Sequence, residues 1–250
     1  MTYLFLSVMV CAVIYALTSG HILKKEHSMI LLIGAEKGGT GKTTLTTNLA
    51  AELANKKKDI LLIDTDTQGS ASKWAAMRDS LEDSEGEITR VASVQKFGSE
   101  IRKDILDLSQ RYDHILVDAG GRDSVELRSA LSVCDKIYIP LQAAQFDIWT
   151  LSVMDKLVAE AKIFNQKLDA RVIINRGSTN PKVSETQEAL ELEEELQNLS
   201  FSTVIVRERS AFRKAAKRGL SVCELTSKDT DPKAEQEITA LYQEIFGDGE

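Results

Sequence analysis

The sequence predicts an α/β fold, a mostly parallel twisted sheet flanked by helices on both faces. Three observations carry that expectation. Short apolar runs at Met29–Ile33, Ile60–Ile63 and Ile115–Val117 have the length and unbroken apolar character of strands buried on both sides. Longer segments with apolar residues at helical spacing separate them, beginning with Leu45 to Ala54. Glycines or aspartates follow each run directly, and in open α/β sheets ligands bind at the carboxyl ends of the strands.

A chain of 250 residues suits one large domain of this kind and is too short for two. The formal net charge of -7 argues against a generally basic nucleic-acid protein, so any nucleic-acid contact must come from a local patch. Cys11, Cys134 and Cys223 are far apart and form no C-x-x-C pair, which suggests neither a metal knuckle nor a disulfide framework and fits a reducing cytoplasm. His21 and His27 precede the first strand and His114 enters an apolar run, leaving no histidine-based triad.

Residues 1–28 form an apolar extension. Met1 to Gly20 carries no charge and approaches the roughly 20 residues that cross a bilayer, with Lys24 and Lys25 behind it. No positive charge stands before the stretch, which argues against a cleaved signal peptide. Two readings remain: an upstream start that is not used, because Met29 immediately precedes the first strand, or a membrane anchor with the lysines on the cytoplasmic side.

The first strand leads into Glu36-Lys37-Gly38-Gly39-Thr40-Gly41-Lys42-Thr43-Thr44 and then a helix. Strand, glycine loop and helix form the context of a phosphate-binding loop. Glycines let successive N–H groups turn inward, and the helix N-terminus adds partial positive charge at the same spot. Gly38, Gly39, Thr40, Gly41, Lys42, Thr43 and Thr44 are the candidate nucleotide contacts, with Lys42 neutralising β- and γ-phosphates and the Thr43 hydroxyl ligating magnesium. The alternative is a glycine-rich turn with incidental lysines.

The second strand ends in Asp64-Thr65-Asp66-Thr67-Gln68-Gly69, which should face the same crevice unless these aspartates only cap a turn. Ser70 to Arg78 reads as a helix, Ser80 to Glu87 as an acidic loop, Ile88 to Ser93 as a strand, and Lys96 to Ser109 as a helix with Phe97, Ile101, Ile105 and Leu108 on one face. The next apolar strand ends at Asp118, followed by Ala119-Gly120-Gly121, placing a carboxylate where magnesium-bound water would be held. An aspartate there can also be a simple cap. Lys136–Leu141 and Ala170–Arg176 read as strands around a long helix reaching about Phe164. Pro181 to Asn198 reads as a glutamate-rich helix and Val204–Val206 as a short late strand.

These motifs together resemble the ParA/MinD family of ATPases. The first position of the strict phosphate-loop pattern falls on Glu36 rather than glycine, and Lys37-Gly38-Gly39-Thr40-Gly41-Lys42-Thr43-Thr44 is similar to the family's deviant Walker A motif. Asp64-Thr65-Asp66-Thr67-Gln68-Gly69 is similar to its Walker A′ motif, with Thr67 in place of the usual proline, and the Asp118 strand to its Walker B. The resemblance covers about Met29 to Phe246 and makes 29–250 a ParA-like ATPase domain, nearest in size to short plasmid partition proteins. It implies ATP and Mg2+ as cofactors and an ATP-dependent sandwich homodimer. Lys37 would reach the partner's phosphates, Asp66 would orient the attacking water, and Asp64 with Thr43 and Asp118 would hold the metal. Asn175, in an Asn-Arg pair after a strand, would read the adenine, although asparagine there is also an ordinary turn residue.

Arg207, Arg209, Arg213, Lys214, Lys217 and Arg218 cluster with Glu208 as the only acid. Ser210 is placed to cap a helix and Gly219 to end it, with Phe212, Ala215 and Ala216 on the packed side. Such a stripe suits salt-dependent, sequence-indifferent DNA contact, or else a solvated face that complements the helix dipole. The last helix, Lys233 to Phe246, carries Glu235, Glu237 and Glu244, the wrong charge for a basic membrane-binding helix. The expectation is therefore a cytoplasmic, nucleoid-associated partition ATPase stimulated by a centromere-binding adaptor. The alternative is a MinD-like positioning ATPase anchored by residues 1–28.

Overall fold

The computed structural model describes residues 28–81, 88–142, 148–180 and 191–247. Seven parallel strands lie in the order β3-β2-β4-β1-β5-β6-β7. They are β1 (Met29–Ile33), β2 (Ile60–Asp64), β3 (Ala92–Gln95), β4 (His114–Asp118), β5 (Lys136–Gln142), β6 (Asp169–Gly177) and β7 (Ser200–Arg207). The helices are α1 (Lys42–Asn55), α2 (Ser70–Asp79), α3 (Ile101–Ser109), α4 (Val125–Leu131), α5 (Ile148–Lys162), α6 (Ser210–Ala216) and α7 (Pro232–Phe246).

Alternate residues of β1 explain why its sequence is apolar without interruption. Leu31 and Ile33 pack into a core shared with α1, α2, α6 and α7, whereas Ile30 and Leu32 pack into a second core with α3, α4 and α5. The sheet thus has helices on both faces, as the sequence predicts. Because β1 pairs with β4 on one side and β5 on the other, their carboxyl ends and that of β2 open onto one edge.

Four local expectations change. The strand expected at Ile88–Ser93 lies at Ala92–Gln95, the register being set by pairing of Ala92 with Leu61 and of Gln95 with Asp64. Its following helix begins at Ile101 rather than Lys96, because Gly98 adopts a left-handed φ of 85°, which leaves Phe97 half exposed. Ser210 is the first helical residue of α6, Arg209 is the N-cap, and the helix stops at Ala216, which is exposed. Gly219, at φ 69°, ends the turn beyond it.

The helix expected over 181–198 and the approach to α5 at Phe146 fall mainly outside the described residues. So do residues 1–27, and with them the question of a membrane anchor. Among the described residues no helix is long and apolar enough to cross a membrane. Helix α7 is packed rather than peripheral: Ile238, Leu241, Tyr242 and Ile245 are buried, and Glu237 and Glu244 are engaged within the fold.

Candidate nucleotide site

The loop leaves β1 and enters α1 through two left-handed glycines, Gly39 at φ 78° and Gly41 at φ 93°. Gly41 is the N-cap of α1 and has no side chain to satisfy the first-turn N–H groups, which leaves those donors for an anion. Lys42 is 7% exposed and its Nζ donates to the Lys37 carbonyl at 2.8 Å, folding the amine back under the loop. Burial lowers its pKa, opposed by the charges of Asp118 and Asp66, so an anion placed beside it gains a desolvated cation.

The strand ends deliver the acids. Thr43 Oγ1 donates to Asp118 Oδ2 at 2.6 Å, and Thr46 Oγ1 lies 3.3 Å from Asp118 Oδ1. Asp64 is the register partner of Asp118, so two buried carboxylates end adjacent strands. Burial pushes Asp118 up to about 7, the Thr43 hydrogen bond opposes the rise, and the Asp64 charge adds to it. Both Asp64 oxygens accept backbone N–H groups, Oδ1 from Asp66 at 3.0 Å and Oδ2 from Ser72 at 2.9 Å. Asp64 therefore shapes the turn that carries Asp66 and opens α2, and acts on Asp118 through its charge. Asp66 itself accepts the Gln68 N–H at 2.9 Å and stands opposite Gly120, whose Cβ would lie 3.8 Å from its carboxyl carbon.

The donor set fits magnesium. A hydroxyl and a carboxylate are hard oxygen ligands, and a buried pair of acids with Lys42 beside them favours a further cation. Among the described residues no group of three or more histidine, cysteine or acidic side chains forms a metal cage. A magnesium ion on a polyphosphate keeps several waters and needs only one or two protein oxygens, which Thr43 and Asp118 would supply.

Asn175 is brought to the loop, though to its frame. Its Nδ2 donates to the Thr40 carbonyl at 2.6 Å, and a Cβ on Gly41 would lie 2.1 Å from that nitrogen. The sequence reading misses its neighbour Gln142, whose Nε2 donates to the Gly39 carbonyl at 2.9 Å. A glutamine closing a strand carries no local pattern; the pairing of Gln142 with Asn175 across β5 and β6 makes it visible only in three dimensions. Gly121 is likewise tied to the loop, since its Cβ would come within 2.8 Å of the Gly38 backbone.

The basic cluster divides. Arg209 has a side chain only 13% exposed and pairs with Glu237 at 2.6 Å, so it is committed to packing α7 against the end of β7. Arg207 is drawn toward the Ser178 carbonyl. Arg213, Lys214 and Lys217 are exposed and Arg218 is half-buried; Arg213 pairs with Glu208, and Lys214 with Asp229 at 2.8 Å. A small cavity of about 90 Å³ beside the loop is lined by Thr44, Asn175, Arg176, Arg213 and Ala216, so α6 borders the nucleotide site.

A glycine loop feeding an uncapped helix, a buried lysine and a threonine–aspartate pair at the carboxyl edge of a parallel sheet define a P-loop nucleotide-binding domain of the deviant Walker A type. The family profile described as CobQ/CobB/MinD/ParA nucleotide binding domain matches residues 31–222, and the chain belongs to that family. It is accordingly a Walker-type ATPase.

The maintenance of carboxysome distribution protein A of Halothiobacillus neapolitanus is 27% identical over 228 residues, covering 90% of this chain and 99% of that one. The sporulation initiation inhibitor protein Soj of Bacillus subtilis is 26% identical over 178 residues, 58% of this chain and 69% of that one. Among solved structures, apo McdA of Cyanothece shares the fold with a TM-score of 0.66 at 16% identity, covering 88% of this chain and 100% of that one. The cell division ATPase MinD of Pyrococcus furiosus does so at 0.64 and 20% identity, covering 87% and 98%. The profile establishes the family and the solved structures share its fold, and neither singles out a plasmid-partition branch.

Proposed function

We propose that the chain is an ATP-driven positioning ATPase that uses non-specific DNA as its surface. The observation that carries this reading is the position of α6, whose exposed Arg213 lines the cavity shared by Thr44 of the loop and Asn175. Nucleotide bound against Thr44 has only a short path to Arg213. Relatives named for carboxysome distribution and for chromosome partitioning support the positioning role.

In this reading Lys42 neutralises the β- and γ-phosphates, and Asp66 orients the attacking water above Gly120. Thr43 and Asp118 hold magnesium, with Asp64 contributing charge from the adjacent strand. Bound there, the metal offsets charge on the phosphate oxygens. Lys37 reaches the phosphates of the partner protomer in an ATP-dependent homodimer. Arg213, Lys214, Lys217 and Arg218 contact the DNA backbone, with Arg213 and Lys214 exchanging Glu208 and Asp229 for phosphates. An adaptor bound to the cargo, centromere-like DNA in the partition case, stimulates hydrolysis and release. The working protein is then cytoplasmic and nucleoid-associated.

The test is binding of the protein to random-sequence duplex DNA with magnesium and ATP, ADP or no nucleotide, across a salt series. Tight, salt-sensitive binding with ATP alone is expected. Absence of binding in every state, with ATP binding confirmed, overturns the reading and turns attention to a membrane or protein surface.

A further inference from the structure

The loop is held from outside as well as from within. Gln142 and Asn175 are register partners at the carboxyl ends of adjacent strands, and their amide nitrogens donate to consecutive loop carbonyls, those of Gly39 and Thr40, at 2.9 and 2.6 Å. A carbonyl can only accept, so the amide nitrogen is the atom that fits at each place. In a trans peptide the C=O and the following N–H point in opposite directions. Fixing the Gly39 carbonyl outward therefore aims the Thr40 N–H inward, and fixing the Thr40 carbonyl aims that of Gly41. Lys42 holds the Lys37 carbonyl from within.

We infer that Gln142 is a positioning residue for nucleotide phosphates, pre-orienting the Thr40 N–H through the Gly39 carbonyl, with Asn175 doing so for Gly41. Gly39 needs this more than an ordinary residue, because a glycine at φ 78° with nothing within 4 Å of its Cβ position has no side-chain packing to hold its peptide plane. The inference rests on the assignment of Glu36–Thr44 as the phosphate loop.

The experiment replaces Gln142 by Met, which keeps the length and removes the donor, and by Lys, which keeps a donor at similar reach. ADP affinity, the KM for ATP and kcat are measured with the melting temperature in the absence of nucleotide. Gln142→Met is expected to weaken ADP binding and raise KM about three- to tenfold, the equivalent of one neutral hydrogen bond, with kcat within about twofold. Gln142→Lys should restore affinity to within about twofold. Unchanged ADP affinity in the Met variant, or equal weakening in the Lys variant, overturns the inference. A merely structural role would lower the melting temperature and leave the affinity of the folded protein unchanged. Gln142→Leu, neutral and without the donor, carries the same expectation if the Met variant does not fold. Lys42→Ala is run beside them: normal ADP affinity in that variant would overturn the loop assignment itself, whereas loss there with no effect at Gln142 overturns only the positioning role.

Discussion

Thr43 Oγ1 and Asp118 Oδ2 lie 2.6 Å apart although 75 residues separate them in the chain. The bond ties the first turn of α1 to the end of β4, so the hydroxyl and the carboxylate present one pair of oxygens to whatever cation the phosphates bring. Asp118→Asn keeps the shape and removes the charge. ATP turnover should fall on the order of 100-fold, as for loss of one preorganised electrostatic group, while nucleotide affinity measured in chelator stays within a few-fold. Phosphate release that remains near wild type would remove Asp118 from the catalytic site.

The same carboxylate gives the nucleotide- and metal-free protein a characteristic pH dependence. Burial, opposed by Thr43 and aided by Asp64, raises Asp118 from 3.8 to about 7. The folded state then binds the proton more tightly than the unfolded chain. Its contribution to stability is fully present below the unfolded value, declines as pH rises, and is lost by about 7. Denaturant midpoints taken from about pH 5 to 8 should show this decline flattened in Asp118→Asn relative to wild type. Parallel curves for the two proteins would show that Asp118 titrates in the ordinary range.

Arg78 is 1% exposed and meets Glu224 in a two-bond fork at 2.8 and 2.5 Å, while its Nε donates to the Thr89 carbonyl. Burial would raise the Glu224 pKa, yet the bonds and charge of Arg78 outweigh it and hold the carboxyl below its usual value. Arg78→Met leaves a largely buried acid without its partner and should cost about 3–5 kcal/mol, whereas Arg78→Met with Glu224→Leu should recover most of it. Urea unfolding of both variants tests this, and a single variant as stable as wild type would refute it.

The sheet and the loop were legible because each rests on local pattern. Unbroken apolar runs follow from burial on both faces, and the Gly39 and Gly41 torsions follow from glycine's freedom at positive φ. What escaped depends on partners distant in sequence. Gln142 and Arg78 have unremarkable neighbours, and their roles arise from Gly39 and Glu224, which only the fold brings near. Arg209 illustrates the converse. Composition groups it with the exposed cations, but Glu237 from α7 claims it, a contact no window of sequence contains.

Gly120 and Gly121 separate two kinds of constraint at the end of β4. A Cβ on Gly121 would meet the Gly38 backbone at 2.8 Å, a backbone contact that cannot swing aside, whereas one on Gly120 would find nothing closer than 3.8 Å at Asp66. Gly121→Ala should displace the loop and weaken ATP binding at least about tenfold, because misplaced phosphate donors lose several hydrogen bonds together. Gly120→Ala should bind ATP within about twofold of wild type. Calorimetric titration of both variants distinguishes them, and equal affinities would mean that the loop and the β4 end are not packed together in solution.

The exposed cations of α6 and the turn after it are expected to act on DNA through charge alone. Alanine at Arg213, Lys214, Lys217 and Arg218 should leave ATP affinity within a few-fold, as expected for surface charges, and should abolish ATP-dependent DNA binding. Single replacements should each reduce the slope of log affinity against log salt by about one, with no preference among DNA sequences. Arg209→Ala should differ in kind: it leaves the half-buried Glu237 without its guanidinium partner, so it lowers the melting temperature, and it does not alter the salt slope of whatever binding survives. An unchanged slope in the Lys214 and Lys217 variants would move the DNA site away from α6.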